Sequence, residues 1–207
     1  MEQQLLPETF GLVSAAIVAC SGAMYAVRCY QSAIRPNITS WSLWTIIGLV
    51  LLVTYRDSGA EANIWAAVIG AINPAVILAI AIYRRSVMEP LTGWEKASII
   101  LGTGALALWW HLQGQKELML YALLLSIFAD MCAVVPTYIG IIAKPESDRP
   151  GMWAMYGVGY GISAFAVTNH TFANYVLPAY MFFGALGIAA ILAWHRVKRG
   201  IPVSHWI

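Results

Sequence analysis

Charge is what this chain has least of. Only 11% of its 207 residues are Asp, Glu, Lys or Arg, against about a quarter in a soluble domain. The net charge of +2 and the scattered Lys and Arg residues exclude the basic patch that nucleic acid requires. Cysteine is scarce too. Cys20, Cys29 and Cys132 all fall in apolar runs, which excludes a disulfide framework and predicts small buried hydrophobes. His111, His170, His195 and His205 are scattered at segment ends and loops, without metal-ligand spacing. No metal and no cofactor is expected. Lys96, Lys116, Lys144 and Lys198 lie at or beyond the ends of apolar segments, so no buried amine is there for a retinal Schiff base. A single deep carboxylate excludes an aspartyl dyad. Phosphate-binding glycine loops, nucleophile elbows and triad arrangements are also missing, and an enzyme is not expected. The first nine residues hold Glu2 and Glu8 but no Lys or Arg, unlike the basic start of a signal peptide.

What fills the chain instead is apolar residue, 60% of the total. Seven apolar segments can be drawn, at 10–30, 39–55, 63–83, 95–112, 118–143, 151–168 and 174–194. Arg35-Pro36-Asn37, Asp57-Ser58-Gly59, Glu89-Pro90, Gln113-Gly114-Gln115 and the stretch from Pro145 to Pro150 separate them. A segment of about 20 apolar residues crosses ~30 Å of hydrocarbon, so the expectation is an all-α protein of seven membrane spans. The positive-inside rule tests that count. With alternate loops on opposite sides, one side holds Arg56 and Lys116. The other holds Arg28, Arg35, Arg84, Arg85, Lys96, Lys144, Arg149, Arg196, Lys198 and Arg199, which completes the twelve basic residues. The N-terminus is therefore expected outside and the C-terminus in the cytoplasm. Short loops make a bacterial inner membrane the default location. Trp41, Trp65, Trp94, Trp109, Trp110 and Trp194 fall near segment ends, where either interfacial belts or ordinary packing place tryptophan.

Comparison of residue i with residue i+109 shows an internal repeat. Arg35-Pro36 matches Lys144-Pro145, Trp44 matches Trp153, and Gly48 matches Gly157. Two extra residues then bring Tyr83-Arg84-Arg85 onto Trp194-His195-Arg196. The implied organisation is an extracytoplasmic 1–9, a first three-helix repeat at 10–85, a linker helix at 86–115, a second repeat at 116–199 and a cytoplasmic tail at 200–207. Both triplets would enter the membrane in the same direction, as parallel repeats do in transporters. Chance periodicity among apolar runs is the competing account.

Asp130 is the residue of greatest chemical interest. It lies near the middle of the fifth segment, and a charged carboxylate there costs ~2.5–3.5 kcal/mol on insertion scales. It either faces a wet cavity, pairs with a cation or is protonated. A substrate contact or a proton-coupling group is one reading, and a neutral acid bonded to a neighbouring helix is the other. At helical spacing Ser126, Asp130, Ala133 and Thr137 share a face. Trp153, Tyr156, Tyr160 and Ser163 form a second polar stripe, and Ser14, Ser21, Tyr25 and Arg28 a third. Such stripes face either a cavity or another helix. Asn73-Pro74 interrupts the third segment, where Pro74 removes a backbone hydrogen bond. Gly157, Gly159 and Gly161 permit close helix approach. Arg28 is placed either to snorkel to the interface or to form an ion pair with the fifth segment.

The 3+1+3 plan, the orientation and the size resemble those of the SWEET, PQ-loop and PnuC-type transporters. Pro136-Thr137 sits where that group often has a Pro-Gln pair, and Trp41-Ser42-Leu43-Trp44 is similar to the WxxW pattern of PnuC-type proteins. The chain departs from SWEET-type members at Val27-Arg28, in a second segment without proline, and at Gly184, where the partner of Asn73 would be asparagine. A sugar substrate is therefore not implied. The resemblance implies two parallel three-helix bundles joined by a linker helix, with alternating access to a midplane pocket. The expected function is transport of a small polar solute, either facilitated or proton-coupled. The expected pocket residues are Asp130, Asn73, Tyr160, Tyr156, Ser21 and Trp153, with Pro74 and Pro136 as hinges. The solute and the lipid bilayer are the expected partners, and a homo-oligomer is compatible. The competing class is a non-transporting seven-helix receptor, sensor or membrane subunit of a complex.

Overall fold

The computed structural model describes residues 2–207, with side chains from residue 5 onward. Seven α-helices follow one another: α1 Glu2–Tyr30, α2 Ile38–Asp57, α3 Ile64–Tyr83, α4 Gly93–His111, α5 Met119–Ala143, α6 Pro150–Ser163 and α7 Phe172–Lys198. Three short 3-10 turns complete the secondary structure of the described residues.

Five of these helices, α1 from Leu5, α2, α3, α5 and α7, are long and apolar enough to cross a membrane. Large apolar side chains such as Leu49, Ile72, Phe128, Ile142 and Phe183 stand exposed on their outer faces. Surface of that kind needs a hydrocarbon solvent. The chain is thus an all-helical integral membrane protein. The remaining two helices are α4, with Glu95 and Lys96 in its opening turns, and α6, with 14 residues.

Two boundaries differ from the sequence expectation. Helix α1 starts at Glu2 and not at Phe10, because Glu2, Gln3 and Gln4 are good helix formers. Pro7 removes only one backbone bond near the start of the helix. Helix α6 ends at Ser163, and Ala164–Ala166 tighten into a 3-10 turn. Gly157, Gly159 and Gly161 weaken its last two turns as helix. One burial expectation changes as well. Cys20 is exposed while Cys29 is buried, since Cys20 lies off the inward stripe of Ser14, Ser21 and Tyr25. Trp41 is buried in an aromatic cluster, whereas Trp65, Trp94, Trp110 and Trp194 are exposed.

Turns and caps set where the helices stop. The Asn37 side chain accepts from the Thr39 N–H and caps α2. Gly59 at φ +101° and Gly114 at φ +85° make the turns after α2 and α4, a backbone region that costs only glycine nothing.

Helix α3 packs between α1 and α2, and α7 packs against α6 and α5. The other large interfaces are α1 on α6 and α2 on α5. Exchanging α1, α2 and α3 for α5, α6 and α7 maps this set of neighbours onto itself. Contacts of residues matched in the sequence comparison follow the same exchange. Gly48 lies against Ala71 of α3, and Gly157 lies against Phe182 of α7. Trp44 and Trp153 meet edge to face at 6.1 Å. Fully buried alanines, among them Ala66, Ala105, Ala122, Ala129 and Ala133, let the backbones approach closely.

Helix α4 stands outside the exchange, packed on α5 and α2. Polar ties hold it along α2. Near the helix starts Ser40 Oγ donates to Glu95 Oε1 at 2.9 Å. Near the helix ends Trp109 Nε1 donates to Asp57 Oδ2 at 2.7 Å. Glu95 is 1% exposed and also closes a capping box with Thr92. Replacing Glu95 with alanine removes the acceptor of buried Ser40 and half of that box. A carboxylate hydrogen bond is worth about 1.5–3 kcal/mol, so Glu95→Ala is expected to lower thermal stability in detergent by that order. Glu95→Gln, which keeps an acceptor, is expected to restore most of it.

Candidate functional site

A cavity of about 400 Å³ lies between the halves, walled by α1, α2, α3, α5, α6 and α7. Ser21, Asn73, Asp130, Trp153, Tyr156 and Tyr160 all line it, as does Pro74. Residues from four helices, α1, α3, α5 and α6, are thereby brought to one space. Pro136 is not among the lining residues. It sits inside α5, which runs without interruption from Met119 to Ala143.

At the wall, Asp130 Oδ2 accepts a hydrogen bond from Tyr180 Oη at 2.7 Å. Tyr180 was not legible as a site residue. Its signal is slight, a tyrosine hydroxyl inside the apolar run of α7. Asn73 and Ser21 are already engaged with protein. Asn73 Nδ2 donates to the Val18 carbonyl at 3.0 Å, and a side chain on Gly22 would overlap Asn73. Ser21 Oγ donates to the Met152 carbonyl at 2.7 Å. Both therefore tie helices together at the cavity wall. The Tyr156 and Tyr160 rings lie 5.1 Å apart, with the Tyr160 hydroxyl pressed on the bare backbone of Gly70. Pro74 has no N–H for the carbonyl of Gly70, so this one point of α3 lacks both a side chain and a helical hydrogen bond.

The polar stripes enter the cavity only in part. Ser14, Ser126 and Ser163 donate to carbonyls three residues earlier in their own helices and lie outside the lining. Ser126 also meets Thr54 Oγ1 at 3.1 Å, joining α5 to α2. Hydroxyls in apolar surroundings satisfy themselves on the nearest free acceptor. Arg28 makes no ion pair with α5. It is half-buried and donates to the carbonyl of Ile207 at 2.9 Å.

One end of the cavity is closed by aromatic rings. Tyr25, Trp41, Trp44 and Trp153 form a chain of contacts with centroid spacings of 5.1, 5.0 and 6.1 Å. Beneath them lies Asp148, between α5 and α6 and only 7% exposed. Its Oδ2 accepts from Trp153 Nε1 at 3.0 Å and from Tyr25 Oη at 3.3 Å. Its Oδ1 accepts from the Arg149 N–H at 2.7 Å. Burial pushes the Asp148 carboxyl up to about 6, against the opposing pull of those donors and the Arg149 charge. Arg196 Nη2 donates to the Asp148 carbonyl at 2.6 Å, and the Gly151 N–H donates to the Trp206 carbonyl at 2.8 Å. In sequence Asp148 is an ordinary loop acid between two prolines. Only these contacts reveal it as the floor of the aromatic cluster.

The opposite end is tied through asparagines. Tyr55 Oη donates to the Asn174 carbonyl at 2.9 Å and receives Asn63 Nδ2. Thr168 donates to Glu61. Asn63 and Asn174 lie 111 residues apart, the same offset that separates Tyr83 from Trp194. Both ends of the cavity are thus crossed by bonds between the two halves.

Comparison with known proteins finds no matching family model, no matching curated protein and no matching solved structure.

Proposed function

We propose that the protein is a transporter of a small polar solute, working by alternating access. All seven helices span the bilayer, as two parallel triplets joined by α4. The N-terminus is outside, and the Arg-rich end with Asp148 faces the cytoplasm of a bacterial cell. One observation carries this reading: a cavity walled by three helices of each half, with the carboxylate of Asp130 on its wall, which we place near the midplane. An intramembrane carboxylate is costly and is by default a functional group. Solute sites of repeat-built transporters lie at that depth, between the repeats. The exchange of neighbours between α1–α3 and α5–α7 supports the parallel repeat. The ten-to-two division of basic residues supports the sidedness. At about 1.5 Å per α-residue and ~2.0 Å per 3-10 residue, α6 with its 3-10 turn reaches ~27 Å, close to a full crossing. Alternating access breaks one set of end ties at a time: Tyr25 and Trp153 on Asp148 at one end, Tyr55 on Asn174 at the other.

Swelling of proteoliposomes in isosmotic ribitol, glucose, alanine and choline chloride tests the proposal. Wild type is expected to swell faster than empty liposomes in at least one solute, and Asp130→Asn to slow that flux at least tenfold. Permeability equal to empty liposomes in every solute would sink transport and favour the receptor or subunit class.

A further inference from the structure

Resting on the transport reading, we infer that the solute is a monovalent organic cation with a compact apolar or aromatic body. The lining is unusual in its charge. Asp130 is its one ionisable acid, and no Lys, Arg or His reaches it. The rest of the polar lining is tyrosine, tryptophan, Ser21 and Asn73, and the last two are engaged with backbone carbonyls. Sugar hydroxyls therefore find few free partners in this wall. An anionic solute would face a carboxylate with no counter-charge.

A cation finds two complementary features. Asp130 Oδ2 takes the Tyr180 hydroxyl, while no protein group among the described residues donates to Oδ1. A half-buried carboxylate on a largely apolar wall, with one hydrogen bond, is under-compensated, and a cation in the cavity supplies the missing charge. Aromatic rings surround it: Tyr156, Tyr160 and Tyr180 with Asp130, and Trp44, Trp153 and Tyr25 toward the closed end. Ring faces attract cations, most strongly when both are desolvated, and this is how aromatic cages hold quaternary ammonium groups. About 400 Å³ falls in the range of small-molecule sites. One carboxylate neutralises one charge, which sets the valence.

Charge-matched pairs test the inference on the intact protein. Choline is compared with 3,3-dimethyl-1-butanol, its neutral carbon isostere, and benzyltrimethylammonium with benzyl alcohol. Benzoate and glucose serve as anion and neutral polyol. Ligand-dependent thermal stabilisation in detergent reads binding. At least one cation is expected to bind wild type at least tenfold more tightly than its neutral partner. Asp130→Asn is expected to erase that difference, and Asp130→Glu to keep part of it. Equal binding of cation and isostere, tighter binding of glucose or benzoate, or no cation binding at all overturns the cation assignment. The wild-type comparison stands even where a variant fails to fold. Flux of glucose without cation binding overturns this inference and leaves transport intact. Cation binding lost in Asp130→Asn, with no flux in liposomes, upholds the cation site and defeats transport.

Discussion

A Gly70→Ala protein is expected to lose about 3 kcal/mol of stability and most of its solute flux. The Cβ of that alanine would overlap the Tyr160 hydroxyl and stand 3.1 Å from the Tyr156 hydroxyl. Tyr160 is 3% exposed and has little room to yield, and overpacking a tight interior costs about 1–3 kcal/mol. Near 200 residues each kcal/mol moves the melting midpoint by about 2–4 °C, so a fall of roughly 6–12 °C is expected at the upper figure. Flux falls because the displaced ring has only the cavity to move into. Removing the hydroxyl that clashes is expected to rescue both properties. In Gly70→Ala with Tyr160→Phe the nearest ring carbon lies 3.2 Å from the new methyl, tight but within reach of a small shift. Gly184→Ala is the control. It lines the same cavity but meets nothing within 4 Å, and its stability is expected to stay at the wild-type level. A double variant no better than Gly70→Ala would show that the two residues do not act on each other.

The clash at Gly70 also shows what the sequence can and cannot disclose. Apolar length and loop composition marked all seven helices, and in the five that are long and apolar enough to cross a membrane burial in hydrocarbon is written along the whole span. Asp130 was conspicuous for the same reason, as a charge where none is cheap. The aromatic residues of α6 followed from helical spacing alone. Asp148, Tyr180 and Trp41 were not legible as a site. Their surroundings are made by chain more than a hundred residues away for Tyr25 on Asp148, and by fifty for Tyr180 on Asp130. Local periodicity carries no record of such contacts. Ser126 and Ser163 erred the other way. They share a face with true lining residues, yet a hydroxyl can reach back to its own helix, and facing inward was not enough to reach the cavity.

Closure of the aromatic end is expected to loosen as pH rises from 5 to 7.5, by about tenfold in the equilibrium between closed and open. Asp148 is the titrating group. In the closed end burial raises its carboxyl from 3.8 to about 6, and exposure to water on opening returns it near the lower value. The closed form therefore binds more protons between about pH 4 and pH 6. Linkage makes closure strongest below that window and weaker as pH climbs through it, with the change complete soon above the closed-state value. The full span is on the order of 3 kcal/mol. The groups around it pull the other way, and burial outweighs them. Arg149 lends a favourable charge, but the Arg196 guanidinium reaches the Asp148 carbonyl and not the carboxylate. Tyr25 and Trp153 offer only neutral donors. Cys29, buried at 2% beside Tyr25 and Met152, is a built-in reporter. With Cys20 and Cys132 changed to serine, its modification by a methanethiosulfonate reagent reads opening. The intrinsic pH dependence of the thiol cancels against an Asp148→Asn protein, whose neutral side chain keeps the closed end at every pH. The ratio of wild-type to Asp148→Asn rates is expected to rise about tenfold from pH 5 to 7.5. A flat ratio would mean that Asp148 stays buried in the same protonation state throughout, and that its carboxyl does not govern the closing of this end.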